Sequence, residues 1–245
     1  MKDAAAGTLD VVLGRIGLRL DPVGGVVDPA RRVGFVSDLH LGKTTHFRRR
    51  GLAVPEGDEG YDLRRLAAFV QTHELRRLVI LGDLVHTASG LVAEVEERFA
   101  DWIDRHPGLG VRLVRGNHDR GAGALPPAWL VEVVDGPMAD GPLVLCHEPP
   151  DRGFDATGPT LAGHLHPTVT LGSSGRGSRL RARCFWYRRG VLVLPAFGSF
   201  TGGHRIRAGA GDRLFLIPPA AGPGRSGDSD PLAPPEVLEV DPGAS

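Results

Sequence analysis

Cysteine is nearly absent from this 245-residue chain: only Cys146 and Cys184 occur. Two are too few for a disulfide framework, and their spacing is not the CxxC of a zinc site. A reducing, cytoplasmic setting is therefore the expectation. Lysine is equally scarce, confined to Lys2 and Lys43 while arginine carries the remaining positive charge. Arginine counts then reflect compositional bias and carry little functional information. An excess of one charge sign is missing too, since 29 basic and 29 acidic residues cancel. That excludes the global positive field of a nucleic-acid coat protein, so any polyanion site must be local. No run of about eighteen apolar residues occurs, which argues against a membrane span. Residues 1–10 hold no apolar stretch of signal-peptide length, so export is not expected. No GxSxG elbow offers a serine nucleophile, and no internal repeat is visible.

What is present begins with 41% hydrophobic content, enough at this length for one good core. Short apolar runs recur at 33–36, 78–81, 111–114, 143–146 and 191–194 and read as mostly buried strands. Between them, Leu63, Leu66, Ala67 and Val70 form a helical stripe, and Val92, Val95, Phe99 and Trp102 repeat it. Strands alternating with amphipathic helices predict a layered α/β domain with ligands bound beyond the carboxyl ends of the strands. Residues 9–20 alternate like an edge strand, followed by turns at Asp21-Pro22 and Gly24-Gly25. The Gly/Ser/Arg segment 172–179 reads as a mobile loop. The catalytic domain is placed at residues 1–217. Residues 218–245, rich in Pro, Gly and Ser, are expected to be a disordered tail that joins no core.

Five clusters carry the chemistry: Asp38-Leu39-His40, Gly82-Asp83-Leu84-Val85-His86, Gly116-Asn117-His118-Asp119, Cys146-His147-Glu148 and Gly163-His164-Leu165-His166. Each follows or closely trails an apolar run. In an extended chain, Asp38 and His40 would face one side, as would His164 and His166. A lone Asp-x-His is usually an ordinary surface feature. Five such clusters in order, mixing imidazole and carboxylate without thiolate, point to a site for Mn, Fe, Zn or Mg. Glycines before Asp83, Asn117 and His164 allow tight turns or a close backbone approach.

The series D-x-H, GDxxH, GNHD, H, GHxH resembles that of calcineurin-like metallophosphoesterases and spans Asp38 to His166. The resemblance implies a four-layer sandwich, two β-sheets flanked by helices, holding two divalent ions. It assigns Asp38, His40, Asp83 and His166 to one metal, and Asp83, Asn117, His147 and His164 to the other, with Asp83 as the bridge. It sets His118 near the leaving group and His86 as the partner of His118. Many family members have Asp at that last position, and a histidine there is similar to the double-strand-break repair nucleases of the superfamily. Further words, including Ser37-Asp38-Leu39-His40-Leu41-Gly42-Lys43, Phe47-Arg48, His147-Glu148-Pro149 and Leu194-Pro195-Ala196-Phe197-Gly198, resemble a ligase-associated DNA-damage-response endonuclease subgroup. That likeness implies a manganese-preferring phosphodiesterase working beside a DNA ligase and helicase.

Two ions about 3.5–4 Å apart can stabilise attacking and leaving oxygens of an in-line displacement, with a metal-bridging hydroxide as the expected nucleophile. Asn117 would meet charge on the phosphoryl group, and His118 would protonate the departing alkoxide. Asp119 and Glu148 are candidates to orient imidazoles. Lys43 is a candidate phosphate contact or an exposed helix-start lysine. Arg48, Arg49 and Arg50, with Arg176, Arg179, Arg181 and Arg183, are either a DNA-backbone border or a solvated surface. Among the histidines outside the motifs, only His46 is not read as an ordinary surface residue. Phe185, Trp186 and Tyr187 suit core or rim packing better than base stacking, and Cys146 suits the core. Three functions stay open: a nucleic-acid phosphodiesterase, a phosphoesterase of small nucleotides or monoesters, and a metal-holding module without turnover. The intact His118 argues against the last.

Overall fold

The computed structural model of the chain describes residues 6–54, 58–150, 158–171, 180–217 and 236–240. The expected mobile loop at 172–179 lies outside them, as do 218–235 and 241–245 of the expected tail.

The chain opens with β1 (Leu9–Leu13) and β2 (Ile16–Leu20), an antiparallel hairpin. A single strand was the expectation here, because alternation continues straight through the reversal. Gly14, at φ 64°, supplies the left-handed residue that turns the chain. Next come β3 (Val26–Asp28) and β4 (Val33–Val36), still antiparallel. Helices α1 (Lys43–Arg49) and α2 (Asp58–Thr72) then cross to β5 (Arg77–Ile80), parallel to β4. Helix α3 (Ala93–Asp104) leads to β6 (Gly110–Val114), and α4 (Asn117–Ala122) leads to β7 (Glu132–Val134). Parallel neighbours require such crossovers, and helices are the compact way to make them. The first sheet therefore runs β1-β2-β3-β4-β5-β6-β7.

The second sheet begins with β8 (Met138–Asp140), β9 (Leu143–Leu145) and β10 (Thr160–Ala162). It continues with β11 (Pro167–Leu171), β12 (Leu180–Arg188) and β13 (Val191–Val193). It ends with β14 (His204–Arg205), β15 (Arg213–Ile217) and β16 (Leu238–Val240). Its main path is β14-β11-β12-β13-β10-β9-β8, with β15 pairing both β12 and β16. Strands β9, β10 and β13 are mutually parallel, so their carboxyl ends share one edge of the sheet.

The two sheets face each other across one apolar layer. Phe35, Val79, Leu81 and Val114 from the first meet Leu145, Leu161, Phe185, Leu194 and Phe215 from the second. On its other face the first sheet packs Val36, Leu78, Ile80 and Leu113 against Leu66 and Phe69 of α2 and Phe99 and Trp102 of α3. Trp102 Nε1 donates to Leu63 O at 3.0 Å and closes the two helices together. This is the two-sheet α/β sandwich implied by the resemblance. Among the described residues its α-helices lie between 43 and 122, and no helix is long and apolar enough to cross a membrane.

The tail expectation needs correction for residues 236–240. There β16 pairs antiparallel with β15, Val237 N donates to Gly7 O at 2.9 Å, and the Val237 side chain is buried in the layer between the sheets. Composition averaged over the whole segment hides this short Val-Leu-Glu-Val word, whose backbone groups and one apolar side chain find partners on an otherwise open edge. Val237→Ala should therefore lower stability by about 2 kcal/mol. A denaturant midpoint equal to the parent's would show that this strand does not hold the fold.

Candidate metal centre

The loops that leave β4, β5 and β6 in the first sheet, and β9 and β10 in the second, meet at one end of the sandwich. They carry Asp38 and His40, Asp83, Asn117 and His118, His147, and His164 and His166 respectively. Asp38, His40, Asp83, His164 and His166 all adopt left-handed backbone, with φ of 56°, 53°, 53°, 69° and 46°. The extended Asp-x-His geometry expected from sequence is therefore not what forms. Each pair is instead curled so that its middle residue turns away; Leu39, for example, is buried in the helix-side core. Non-glycine residues in this region cost about 1–3 kcal/mol each, and such strain concentrates at functional sites. Backbone bonds between loops hold the conformation: Asp38 N donates to Gly82 O at 3.1 Å and His40 N to Asp83 O at 2.9 Å.

Among the described residues three groups of converging donors result, one of them the all-imidazole set His40, His86 and His118; the other two include carboxylates. Of these two, Asp38, His40 and His166 form the first, and Asp83, His147 and His164 the second. His166 Nε2 lies 3.1 Å from Asp38 Oδ1, yet both atoms, with the two ring nitrogens of His40, are buried without any hydrogen-bond partner. Orphaned polar atoms at such spacing are expensive unless a cation takes their lone pairs. In the second group, His147 Nε2 is 3.0 Å from Asn117 Oδ1, 3.1 Å from His164 Nδ1 and 3.4 Å from Asp83 Oδ1. The other oxygen of Asp83 faces the first group, 3.9 Å from His40 Nε2. The donor set fits two divalent ions with Asp83 between them.

Electrostatics agree with that fit. Burial pushes the His40 imidazole down to about 3 and that of His86 to about 4, leaving neutral rings with lone pairs to give. Burial alone would lower His147 as well, but the hydrogen bond and charge of Asp83 raise it to about 9. A proton there occupies the place a cation would take. Asp83 is held below the usual carboxylate range by His147 and His40 despite the opposing effect of burial.

Ring orientation comes from backbone carbonyls. His147 Nδ1 donates to Leu81 O at 2.9 Å, His118 Nδ1 to His86 O at 2.8 Å, and His166 Nδ1 to Gly202 O at 3.0 Å. Asp119 and Glu148, expected to orient imidazoles, do not. Asp119 is buried and accepts the amides of Asp83, Val85 and Gly116 at 2.8, 3.0 and 2.9 Å. It thereby clamps the Asp83 loop to the Asn117 loop. Glu148 is exposed, and no hydrogen bond joins it to an imidazole among the described residues. His86 meets His118 through its carbonyl and by stacking, with ring centroids 4.9 Å apart at 23°. Two glycines are required by close approach: a Cβ on Gly116 would sit 2.2 Å from Asp83 Oδ1, and one on Gly82 2.0 Å from His147 Nδ1.

The remaining candidates surround the centre. Lys43 is half-buried at the start of α1, its ammonium destabilised by that burial and attracted by Asp38 and Asp83. Arg48 is partly buried in the same helix. His46 Nδ1 pairs with Ser89 Oγ at 2.7 Å, and its ring is 5.4 Å from that of His86, so it belongs to the rim of the site. Arg49 caps the same turn through Ser89 O at 3.1 Å. Arg176 and Arg179 lie outside the described residues. Arg181 is exposed and holds Thr168 Oγ1 at 2.9 Å and the carbonyl of Gly203. Arg183 is largely buried and holds Ala196 O at 3.0 Å. Phe185 is buried between the sheets, and Trp186 packs on the outer face with Nε1 on Asp212 at 3.0 Å. Cys146 and Cys184 are buried free thiols.

Residues 31–148 match the calcineurin-like phosphoesterase family. Among solved structures, the Pseudomonas putida nuclease MPE is 38% identical, with a TM-score of 0.74 over 86% of this chain and 96% of that one. YfcE, a phosphoesterase from E. coli, is 16% identical with a TM-score of 0.38, over 77% of this chain and 88% of that one, and adds nothing to the assignment. No curated protein matches. Identity of 38% carried along nearly the whole of both chains exceeds what a shared fold alone produces, and the chain belongs to the calcineurin-like phosphoesterase family.

Proposed function

We propose that the chain is a metal-dependent phosphodiesterase that cuts nucleic-acid strands, with two divalent ions shared through Asp83. The observation that carries the reading is the set of buried, unpartnered donors on Asp38, His40 and His166 facing the Asp83, Asn117, His147 and His164 group. The nuclease name of the 38% identical Pseudomonas protein supports nucleic acid as substrate. Manganese suits a mixed carboxylate and imidazole set. The sequence resemblance supports a role in DNA repair beside a ligase and a helicase. Two buried free thiols agree with a reducing cytoplasm.

When bound, the ions supply Lewis-acid stabilisation of the phosphoryl oxygens and activation of water. The protein's own groups do the rest. His118 donates Nδ1–H to the His86 carbonyl, which fixes its Nε2 toward the centre, 4.0 Å from Asp83 Oδ2. With that nitrogen protonated, His118 can give a proton to the departing oxygen. Its side chain is about a third exposed (34%), so it can be reprotonated from solvent after each turnover. Asn117, at the first position of α4, can turn its amide to the phosphoryl group while Oδ1 stays with His147. Lys43 adds positive charge on the Asp38 side.

Initial rates on a chromogenic diester, a monoester and single- and double-stranded DNA, each with Mn, Mg and Zn, test the reading directly. Faster turnover of the monoester than of every diester would overturn it. Asp83→Asn should lose bound metal and lower turnover by about a hundredfold or more, at least the scale seen when groups behind metal ligands are removed. Parent-like rates in that variant, or undiminished turnover after chelation, would remove the shared-metal reading. His118→Ala should keep both ions but lose roughly a hundredfold on DNA. A nitrophenyl diester, whose leaving group needs little protonation, should lose much less. Equal loss on both substrates would take the proton-donor role from His118.

A further inference from the structure

Strand β12 sends Arg181 and Arg183, two residues apart, to one face. Arg183 is the unusual one. Its Nη1 donates to Ala196 O at 3.0 Å and packs 3.6 Å from where a Cβ on Gly24 would be. Arg65 of α2 reaches the same place from the opposite side, with Nη1 on Phe197 O at 2.9 Å and Nη2 on Val23 O at 2.6 Å. Two guanidiniums thus hold consecutive carbonyls of one loop and flank consecutive residues of another. The nearby carboxylate is Asp62, and it is fully committed. Its Oδ1 accepts Arg65 at 2.9 Å, and its Oδ2 accepts Ser199 N at 2.8 Å and Ser199 Oγ at 3.0 Å. Arg183 therefore has no carboxylate partner among the described residues. Its Nε and Nη2 take no hydrogen bond, yet neither is sealed from solvent.

Leaving a guanidinium in a poorly solvated place without an anion is costly. Burial, with Arg65 adding repulsion that Asp62 only partly offsets, brings the Arg183 guanidinium down to about 10. The loop it grips also borders the metal centre: Phe197 N donates to Ser37 O at 2.8 Å and Gly198 N to Asp38 O at 3.1 Å. Asp62 itself lines a small cavity with His40, Lys43, Phe200 and Thr201. Tyr61, half exposed, lies beside the pair, its ring 5.6 Å from the Arg65 guanidinium carbon.

We infer that the free edge of Arg183, flanked by Arg65 and Tyr61, is a subsite for a second phosphate of the substrate, one loop away from the scissile phosphate on the Asp38 side. The planar fork of arginine suits phosphate oxygens, and the site gives a partner to a guanidinium that Asp62 attracts but does not hydrogen-bond. Its consequence is selection for strands: a substrate with several phosphates gains the contact, and a diester with one phosphate does not. The inference deepens the nucleic-acid reading and rests on it for the substrate, but the anion contact can be measured without turnover.

The experiment uses the metal-loaded full chain and Arg183→Gln, which keeps an amide to donate to Ala196 O. Affinity for a labelled phosphorothioate oligonucleotide, which resists cutting, should fall about tenfold, the scale of a lost charge-assisted hydrogen bond. The slope of log affinity against log salt should flatten by about 0.7, one phosphate contact on a single strand. KM for cleavable DNA should rise with kcat nearly unchanged, and kinetics on bis(p-nitrophenyl) phosphate should stay within about twofold of the parent. Arg183→Lys should recover the salt slope but only part of the affinity. Unchanged oligonucleotide affinity and salt slope in Arg183→Gln would overturn the subsite. Equal losses on DNA and on the small diester, with a lowered melting temperature, would overturn it too and leave Arg183 as a bolt for the loop. If the parent binds the oligonucleotide through Arg183 but cleaves no nucleic acid, the cleavage reading fails while the subsite stands.

Discussion

The buried carboxylate of Asp83 is the group on which the rest of the site depends. One oxygen faces His147 from the second sheet and the other faces His40 from the first. The same Oδ1 also receives the amide of His118 at 3.0 Å, so the proposed proton donor is registered on the same carboxylate. Asp83 can do this because its own backbone is locked. Its amide goes to Asp119, its carbonyl accepts His40 N, and its φ of 53° is held by both bonds. A carboxylate so placed, facing buried neutral imidazoles, is stable when a cation or a proton shares it. The hydrogen bond and charge of Asp83 raise the His147 imidazole to about 9, which favours a proton in that place in the metal-free chain.

That arrangement explains why the fold needs two sheets. Parallel β4, β5 and β6 deliver Asp38, Asp83 and Asn117 from adjacent strand ends about 4.8 Å apart, the spacing of any sheet. Here the first sheet supplies only part of the donor set, because its strand ends lie in a row. Parallel β9 and β10 bring His147 and His164 from across the apolar layer, and the layer of Phe35, Leu81, Leu161 and Phe215 fixes the separation. Rigid packing between the sheets thus becomes precision between ligands. The glycines follow from the same crowding, since Gly82 and Gly116 leave just enough space for His147 and Asp83 to meet.

Much of this was legible in the chain because metal chemistry selects side-chain types, and types are what a sequence displays. The order of the five clusters carried the family resemblance, and it was the resemblance that implied the two-sheet fold and the converging residues, while the alternation of apolar runs and helices gave only the layered α/β class. The supporting bonds were not legible. Three imidazoles are oriented by the carbonyls of Leu81, His86 and Gly202, and every residue offers a carbonyl, so no residue type marks the partner. For the same reason Asp119 was misread: a carboxylate beside histidines suggests an imidazole partner, whereas it binds three amides in the loops it joins. The left-handed turns at Asp38 and His40 override the extended spacing that their alternation suggests. Residues 236–240 were hidden inside a segment whose average composition is that of a tail.

The histidines around the centre differ in what they touch, and the differences have a chemical sense. His40 and His86 are kept neutral by burial, which suits a ligand and a packing partner that must not repel cations. His118, partly buried like His86, stacks on it and is about a third exposed (34%), which fits the proposed proton donor. Its Nδ1 bond to a carbonyl is the decisive detail, because a carbonyl can only accept. Nδ1 must carry hydrogen in every state, so the exchangeable proton is forced onto Nε2, the nitrogen that faces the centre. The carbonyl fixes the ring and its tautomer, and in the proposed role it is Nε2 that would face the departing oxygen.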